Sequence, residues 1–599
     1  MNITPNKLTI GQLFANQNEQ FIIPAYQRRY AWKEAQTEAL FDDIDLLQDN
    51  DSHLFGMLVF HTNFFQGGLN KPELVDGQQR ITTLSILLMS IRKRFVELGK
   101  DDKAQEITKM LTSKGYDDVE QNKVILGDLD NPDYIHLVKD KNFEQMKNEN
   151  LKYAYQNFNE WLSDYDSEKL NRFYYKLINV AVVIRLDIGM AKDAFKLFET
   201  INNRGLRLSA TDLIKNFIFG HSAQLGDDVL DDIKEKWTEI ITNLDGIDTD
   251  DFLRQYMCMQ LTRKISFTYL VEEFKKYYFS HVKDSDKMVE FAYYGDHGAE
   301  PDETVEEDDE TEKEKGTNKK VINKIPVGDF VDQIKASSRV YKKIVNRTFD
   351  DIRINRHLYN LERILSMPSY IFLMNLLGRE YSDSQKVAVL KTIETFMLRR
   401  HICEARTGEH DDIFAKLNRI FDEDTEITVE EQVKNKLEPH LPADSLFKAN
   451  FPTQKFKGKL RARAKYILEQ LEYEMSGNTG EFTISSSSEV HLEHIIPETI
   501  NTKKSKNEFG DWEVYLGQDA NNLHQQYVHL IGNMTLLAGS LNIIASNNPY
   551  ADKQESYRKS NIQLTQELAN NYQNFKFDEV ESRGKKLADR ALHIWKFEK

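Results

Sequence analysis

Short apolar runs with turn residues between them open the chain, and helical spacing takes over later. Phe21-Ile22-Ile23 predicts a strand, and Pro24 to Trp32 reads as the turn that follows. From Glu34 to Gln48, Leu40, Ile44 and Leu47 fall on one helical face. Phe55-Gly56-Met57-Leu58-Val59-Phe60 predicts a second strand, Gly67-Gly68 a turn, and Glu73-Leu74-Val75 a third strand. A helix from about Gln79 to Leu98 then turns Leu84, Leu87, Leu88 and Ile91 inward. The β-branched run Leu177 to Asp187 predicts another strand. Asp193 to Asn202 is helical, with Ala194, Leu197, Phe198 and Ile201 on one face, and Gly205 is placed to take a left-handed cap. Ser209-Ala210-Thr211-Asp212 has the form of a capping box that opens the next helix.

Helical periodicity continues from Asp227 to Lys283, with Trp237, Ile240, Ile241 and Leu244 as a core stripe. It resumes from Asp329 to Tyr473, broken at Pro368 and around Pro439 to Pro452. Leu358, Leu361, Ile364 and Leu365 form one stripe and Val387 to Ile402 another. The second ends in Arg399-Arg400-His401, read as charges at a helix C-terminus in preference to a DNA contact. Near the end, Val490, Leu492 and Ile495 predict a short strand that Pro497 stops. Met534 to Leu537 predicts a second strand, and Ala538 to Ala545 a helix.

Composition changes this picture in three places. At 599 residues, 40% of them hydrophobic, the chain is long enough for three or more cored domains. Its two cysteines, Cys258 and Cys403, fit a reducing compartment without a disulfide framework. Met1 to Thr9 lacks a charged-then-apolar signal and no apolar run reaches eighteen residues, so the expectation is a soluble, cytoplasmic protein with no membrane partner. The net charge of −17 excludes a passive DNA coat. Glu300 to Lys315 alone carries a net −8, leaving a milder −9 elsewhere. The segment around 295–320 is expected to be a disordered acidic loop. Against this acidic background stands Lys455, Lys457, Lys459, Arg461, Arg463 and Lys465, with Phe456 among them. It is the best basic patch in the chain, suited either to phosphate contacts or to a solvated helix face.

Two stretches carry candidate chemistry. Asp76-Gly77-Gln78-Gln79-Arg80 lies where a strand enters a helix, whose free N–H groups and dipole suit a phosphate. Gly77 permits close approach, Gln78, Gln79 and Arg80 add donors, and Asp76 can hold a metal or order water. For the pentapeptide alone, a plain Asp-Gly turn with a solvated arginine is the better explanation. In the second stretch, Glu493 and His494 end the strand before Pro497, and Asn533 and Asn542 follow nine residues apart. Strand alternation places Glu493 and His494 on opposite faces.

That order of strand, loop, strand and helix resembles the HNH nucleases with a ββα-metal core. The chemistry accounts for the residue types. A neutral His494 suits a base that activates water. Oxygen ligands from Glu493 and Asn542 suit Mg²⁺ or Mn²⁺. Asn533 would brace the loop and orient His494, while Lys553 and Arg558 would hold phosphate. The gap between His494 and Asn533 is long for this class; with Lys503, Lys504 and Lys506 it reads as an inserted DNA-facing loop. No Cys-x-x-Cys pair lies nearby, so no structural zinc is expected beside the motif.

Pro24-Ala25-Tyr26-Gln27-Arg28, Val75 to Arg80, and Phe198 to Gly205, in that order, resemble the N-terminal domain of the GmrSD family. The resemblance covers about residues 8–220 and implies a ParB/sulfiredoxin-like fold that binds and hydrolyses a nucleoside triphosphate: UTP, GTP, CTP or ATP. Carried over, Asp76, Gln78, Gln79 and Arg80 face the phosphates, and Tyr26, Gln27, Arg28, Asn203 and Arg204 complete the pocket. The expected fold is α+β, multidomain and mostly helical. It comprises a ParB-like domain over 1–220, a helical middle over 221–475 and an HNH nuclease domain over 476–599. Lys457, Lys459, Arg461, Arg463 and Lys553 are the expected DNA contacts.

The implied function is Type IV restriction: nucleotide-stimulated, metal-dependent cleavage of double-stranded phage DNA carrying modified cytosine, glucosylated hydroxymethylcytosine above all. The nucleotide would bias a two-state arrangement of the helical middle that exposes or hides His494. Alternatives are an SspE-like enzyme that senses phosphorothioate, a nucleotide-switched DNA-binding protein without cleavage, and a toxin nuclease. Oligomeric state is open, with a homodimer among the options.

Overall fold

Valine, isoleucine and phenylalanine gather in the strands of one six-stranded mixed sheet, and leucine-rich helices make up most of the remainder. The structure, a computed structural model, describes residues 3–48, 53–62, 64–202, 209–285, 323–477, 484, 489–502, 506 and 510–597. Two compact units divide the chain. One comprises residues 1–254 and 265–339, the other 255–264 and 340–599.

The first unit holds the sheet: β1 (Ile3–Thr9), β2 (Phe21–Ile22), β3 (His53–His61), β4 (Glu73–Asp76), β5 (Val124–Ile125) and β6 (Ala181–Ile188). Their order is β1-β6-β3-β4-β2-β5. β6 runs antiparallel to β1 and parallel to β3, while β3 and β4 are antiparallel, with Phe60 opposite Leu74. Directly after β4 comes α1 (Gln78–Glu97), which is apolar on almost every side and serves as the core helix of the unit. Ile81, Leu84, Leu87, Leu88 and Ile91 are all sealed from solvent. Gly77 joins β4 to α1 at φ 97°, and a Cβ there would overlap Leu58 Cδ2, so this corner admits only glycine. Two further helices matter to the site, α2 (Ala191–Asn202) and α3 (Ala210–Leu225), and Ser209 caps the latter by accepting from the Asp212 N–H.

The run Leu177 to Asp187 is not one strand. Lys176–Val180 forms a wide helical turn that continues the helix before it, burying Leu177 and Val180, and the strand begins at Ala181. β-Branched residues fit either state when buried, so the run alone does not mark the boundary.

In the second unit, α4 (Ile352–Arg363) and α5 (Asp383–Ile402) pack together. Leu358, Leu361 and Ile364 are buried, but Leu365 lies beyond the helix at φ 64° and is exposed. Arg399 and Arg400 lie in the last turn of α5, as expected, and their guanidiniums reach beyond it. Arg399 donates to the Pro442 (3.0 Å) and Trp595 (3.1 Å) carbonyls, and Arg400 to that of His440 (2.7 Å). They tie distant segments together. Farther on are α6 (Arg461–Met475), β7 (Val490–His494), β8 (Met534–Ala538), α7 (Gly539–Ala545), α8 (Tyr550–Arg558) and α9 (Phe577–Ile594). Among the described residues no helix is long and apolar enough to cross a membrane. The acidic segment around 295–320, Asn203, Arg204, Gly205, Lys503 and Lys504 lie outside the described residues.

Candidate active sites

At the β4–α1 corner the side chains of the pentapeptide diverge. Gln79 is buried: its Oε1 accepts from the Ala31 N–H (2.8 Å) and its Nε2 donates to the Arg29 carbonyl (3.2 Å). Gln27 is likewise enclosed, donating to the Val75 carbonyl (3.1 Å). Arg80 donates to the Met57 carbonyl (2.8 Å), and Tyr26 packs edge-on against Phe219 with ring centroids 5.0 Å apart. Gln27 and Gln79 thus brace the corner through backbone bonds, and both line the cavity beside it. Gln78 donates to the Arg28 carbonyl (3.2 Å), and its Oε1 has no hydrogen-bond partner among the described residues. A small cavity of about 30 Å³ lies here, lined by Gln27, Arg28, Arg29, Gln78, Gln79 and Asp128 among others.

Two residues not singled out from the sequence complete this corner. Lys215 and Asp212, on α3, form a buried ion pair at 3.1 Å, and Lys215 Nζ also donates to Gln27 Oε1 at 2.6 Å. Arg28 Nε lies 3.5 Å from Asp212. Burial opposes the charge on Asp212, yet Lys215 and Arg28 outweigh it and hold its carboxyl below the ordinary range. Burial draws the Lys215 ammonium down, with Asp212 offsetting part. Burial also raises Asp76, against the pull of Arg80. The signal in the sequence was an Asp-x-x-Lys pair on a helix otherwise rich in apolar residues, one helical turn apart and so on one face.

The second candidate site is built on β7 and β8. They pair antiparallel, with Glu493 opposite Thr535 and His494 opposite Met534, and α7 packs on both. Glu493 is buried on one face. Its Oε1 accepts from Lys553 Nζ at 2.6 Å and from the Tyr557 hydroxyl at 3.1 Å. Lys553 also donates to the His494 carbonyl (2.9 Å). Lys553 is thus corrected from a DNA contact to the buried counter-ion of Glu493. Arg463 is corrected likewise: it is buried and donates to the Ile364 carbonyl (2.8 Å).

His494 has a different neighbourhood. Its Nε2 lies 3.8 Å from Glu498 Oε1, and His529 Nδ1 lies 3.8 Å from the same oxygen. Among the described residues, neither ring nitrogen has a hydrogen-bond partner. Burial pushes the His494 imidazole down to about 4, with Glu498 opposing, so it is neutral at ordinary pH. The turn after His494 is pinned from three directions. Asn533 Oδ1 accepts from the Ile496 N–H (2.8 Å), and Asn533 Nδ2 donates to the Ile496 (2.9 Å) and Val528 (3.0 Å) carbonyls. The Asn533 carbonyl accepts from the Ile495 N–H (2.9 Å), and His524 bonds the Pro497 carbonyl at 2.7 Å. Asn542, on α7, places Nδ2 3.5 Å from His491 Nδ1, and its buried Oδ1 has no hydrogen-bond partner among the described residues.

The basic run borders this site. The Phe456 N–H donates to the His529 carbonyl (2.8 Å), Lys465 reaches the Val490 carbonyl, and Arg461 pairs with Glu498. Lys457 and Lys459 are exposed. Lys506 pairs with Glu513. The span between His494 and Asn533 carries helices Trp512–Leu516 and Ala520–Tyr527 and buries Ile500, Trp512 and Leu516. Glu498 and His529 were not picked out from the sequence; their signal was a carboxylate one residue after Pro497 and a histidine four residues before Asn533.

A search among characterised proteins finds no match. Two family models do match. The GmrSD restriction endonuclease N-terminal domain covers residues 10–219, and the GmrSD restriction endonuclease C-terminal domain covers residues 441–590. Together they span more than half of the chain and define a restriction endonuclease, an enzyme that acts on DNA. The chain belongs to the GmrSD family of Type IV restriction endonucleases.

Proposed function

We propose that the enzyme is a nucleotide-stimulated, metal-dependent HNH-type endonuclease that cuts modified phage DNA, with glucosylated hydroxymethylcytosine as the first substrate to test. The observation that carries this reading is the two-strand-and-helix arrangement of β7, β8 and α7. It presents His494 Nε2 and Asn542 Oδ1, both without a hydrogen-bond partner among the described residues, in a buried, cation-bordered setting. In this reading His494, neutral through burial, takes the proton from the attacking water. Asn533 fixes the turn that aims it. Lys457, Lys459 and Arg461 steer the phosphate backbone.

For the divalent ion expected at such a centre, the donors fit unevenly. Asn542 offers a free oxygen of the type a hard cation takes. On Glu493, Lys553 and Tyr557 close on Oε1, so only Oε2 could serve. In the first unit, the corner beside Arg28 and Gln78 is our choice for a triphosphate within a ParB-like fold, with Asp212 and Lys215 bracing Arg28 and Gln27 behind it. Nucleotide binding there would bias the helical middle toward the cutting state.

The test is digestion of matched plain, glucosylated and phosphorothioated DNA with and without each nucleotide, in Mg²⁺ or Mn²⁺. Glucosylated DNA should be cut and His494→Ala should leave it whole. Intact DNA of every kind under all conditions refutes the reading.

A further inference from the structure

Glu498 and the two histidines above it form a constellation that a hydrolytic base does not need. The carboxylate oxygen sits 3.8 Å from His494 Nε2 and 3.8 Å from His529 Nδ1. Those distances are too long for hydrogen bonds. The three donor atoms all lie within 4.8 Å of one another. Both ring nitrogens lack partners among the described residues, and His494 is 8% exposed. A buried imidazole nitrogen without a partner is an unmet demand. Tetrahedral zinc with bonds of about 2.1 Å sets its donors about 3.4 Å apart, a small side-chain rotation from what is found here.

We propose that His494, Glu498 and His529 bind one late first-row divalent ion, Zn²⁺ in the first place, and that the bound ion switches cleavage off. Two nitrogens and one carboxylate select such ions over Mg²⁺, which takes oxygen. The ion occupies the Nε2 lone pair of His494, so the ring no longer accepts a proton from water. The switching half rests on His494 being the base; the binding half does not. Arg461 pairs with Glu498 in the ion-free site and so competes with the ion for the carboxylate.

The experiment uses the full chain freed of metal. Calorimetric titration with Zn²⁺ should show one ion per chain, undisturbed by excess Mg²⁺. Co²⁺ should give the intense visible bands of a tetrahedral site. Glu498→Gln and His529→Gln, checked for folding by circular dichroism, should weaken binding by more than about a hundredfold, since even an outer partner's loss costs about 10–100-fold. Arg461→Ala should tighten it. Stoichiometric Zn²⁺ should stop Mg²⁺-supported cleavage and a zinc-selective chelator should restore it. Absent binding, binding unmoved in both folded variants, or a zinc-filled enzyme that cuts at the Mg²⁺ rate overturns the proposal. Failure to cut under any condition defeats the nuclease reading instead, while the titrations still decide the site.

Discussion

Lys553 and Lys457 carry the same charge and stand in opposite settings. Lys553 is sealed inside against Glu493, whereas Lys457 is exposed beside the candidate cutting site. Removing one partner of a buried pair strands the other, at a cost of about 3–5 kcal/mol. Lys553→Ala should therefore lower the denaturant midpoint steeply, and any loss of cleavage would follow from unfolding. Lys457→Ala and Lys459→Ala should leave that midpoint in place, and each should reduce the salt slope of DNA binding by about one. A Lys553→Ala protein as stable as its parent would show that the ion pair carries no weight. The two lysines looked alike in the sequence because the partner of Lys553 is 60 residues away. Lys215 finds Gln27 across 188 residues. Charge type is local information; burial is not.

At the level of elements, the strand–turn–helix at Asp76 to Gln78 and the β7, β8, α7 succession were legible, because apolar spacing, glycine and proline act within a few residues. What those elements hold in place was less so. The pentapeptide suggested four side chains facing a ligand, yet Gln79 turned to the 29–32 backbone, because a buried amide must satisfy its own donors and acceptor. Gly77→Ala should cost about 2 kcal/mol, from the left-handed φ and the overlap with Leu58, read as a shift in thermal midpoint. Asn533→Ala frees the Ile496 N–H and two carbonyls in the interior. At about 1–3 kcal/mol for an unsatisfied group, destabilisation of about 3 kcal/mol is expected, together with slower cleavage by whatever remains folded. Unchanged cleavage and stability would remove Asn533 from the site.

The whole molecule adds a response to acid. His401 and His410 are packed with ring centroids 5.4 Å apart, and burial lowers them to about 3 and about 4 respectively. Both are uncharged in the folded state and take up protons near pH 6.5 when unfolded. The unfolded chain thus binds more protons in the window below 6.5, and stability falls as pH drops from there toward 4. Thermal unfolding at pH 7 and pH 5 should show a lower midpoint at pH 5, and His401→Gln with His410→Gln should flatten the difference. A midpoint that rises on acidification would contradict this account.

Helix α9 sits against the turn that carries Asn533. Arg583 donates to the Gly532 (2.9 Å) and Met534 (2.7 Å) carbonyls, and a Cβ on Gly532 would overlap the Val580 carbonyl. A side chain clasps the turn and the two backbones meet closely at Gly532, with no slack to absorb a shift. Tilting that helix, by a crowding substitution at Gly532 or by a tag that levers its far end, would throw the imidazole out of aim while every reacting group stayed intact. An assay of such a variant would report a dead enzyme, and the fault would lie in the mounting.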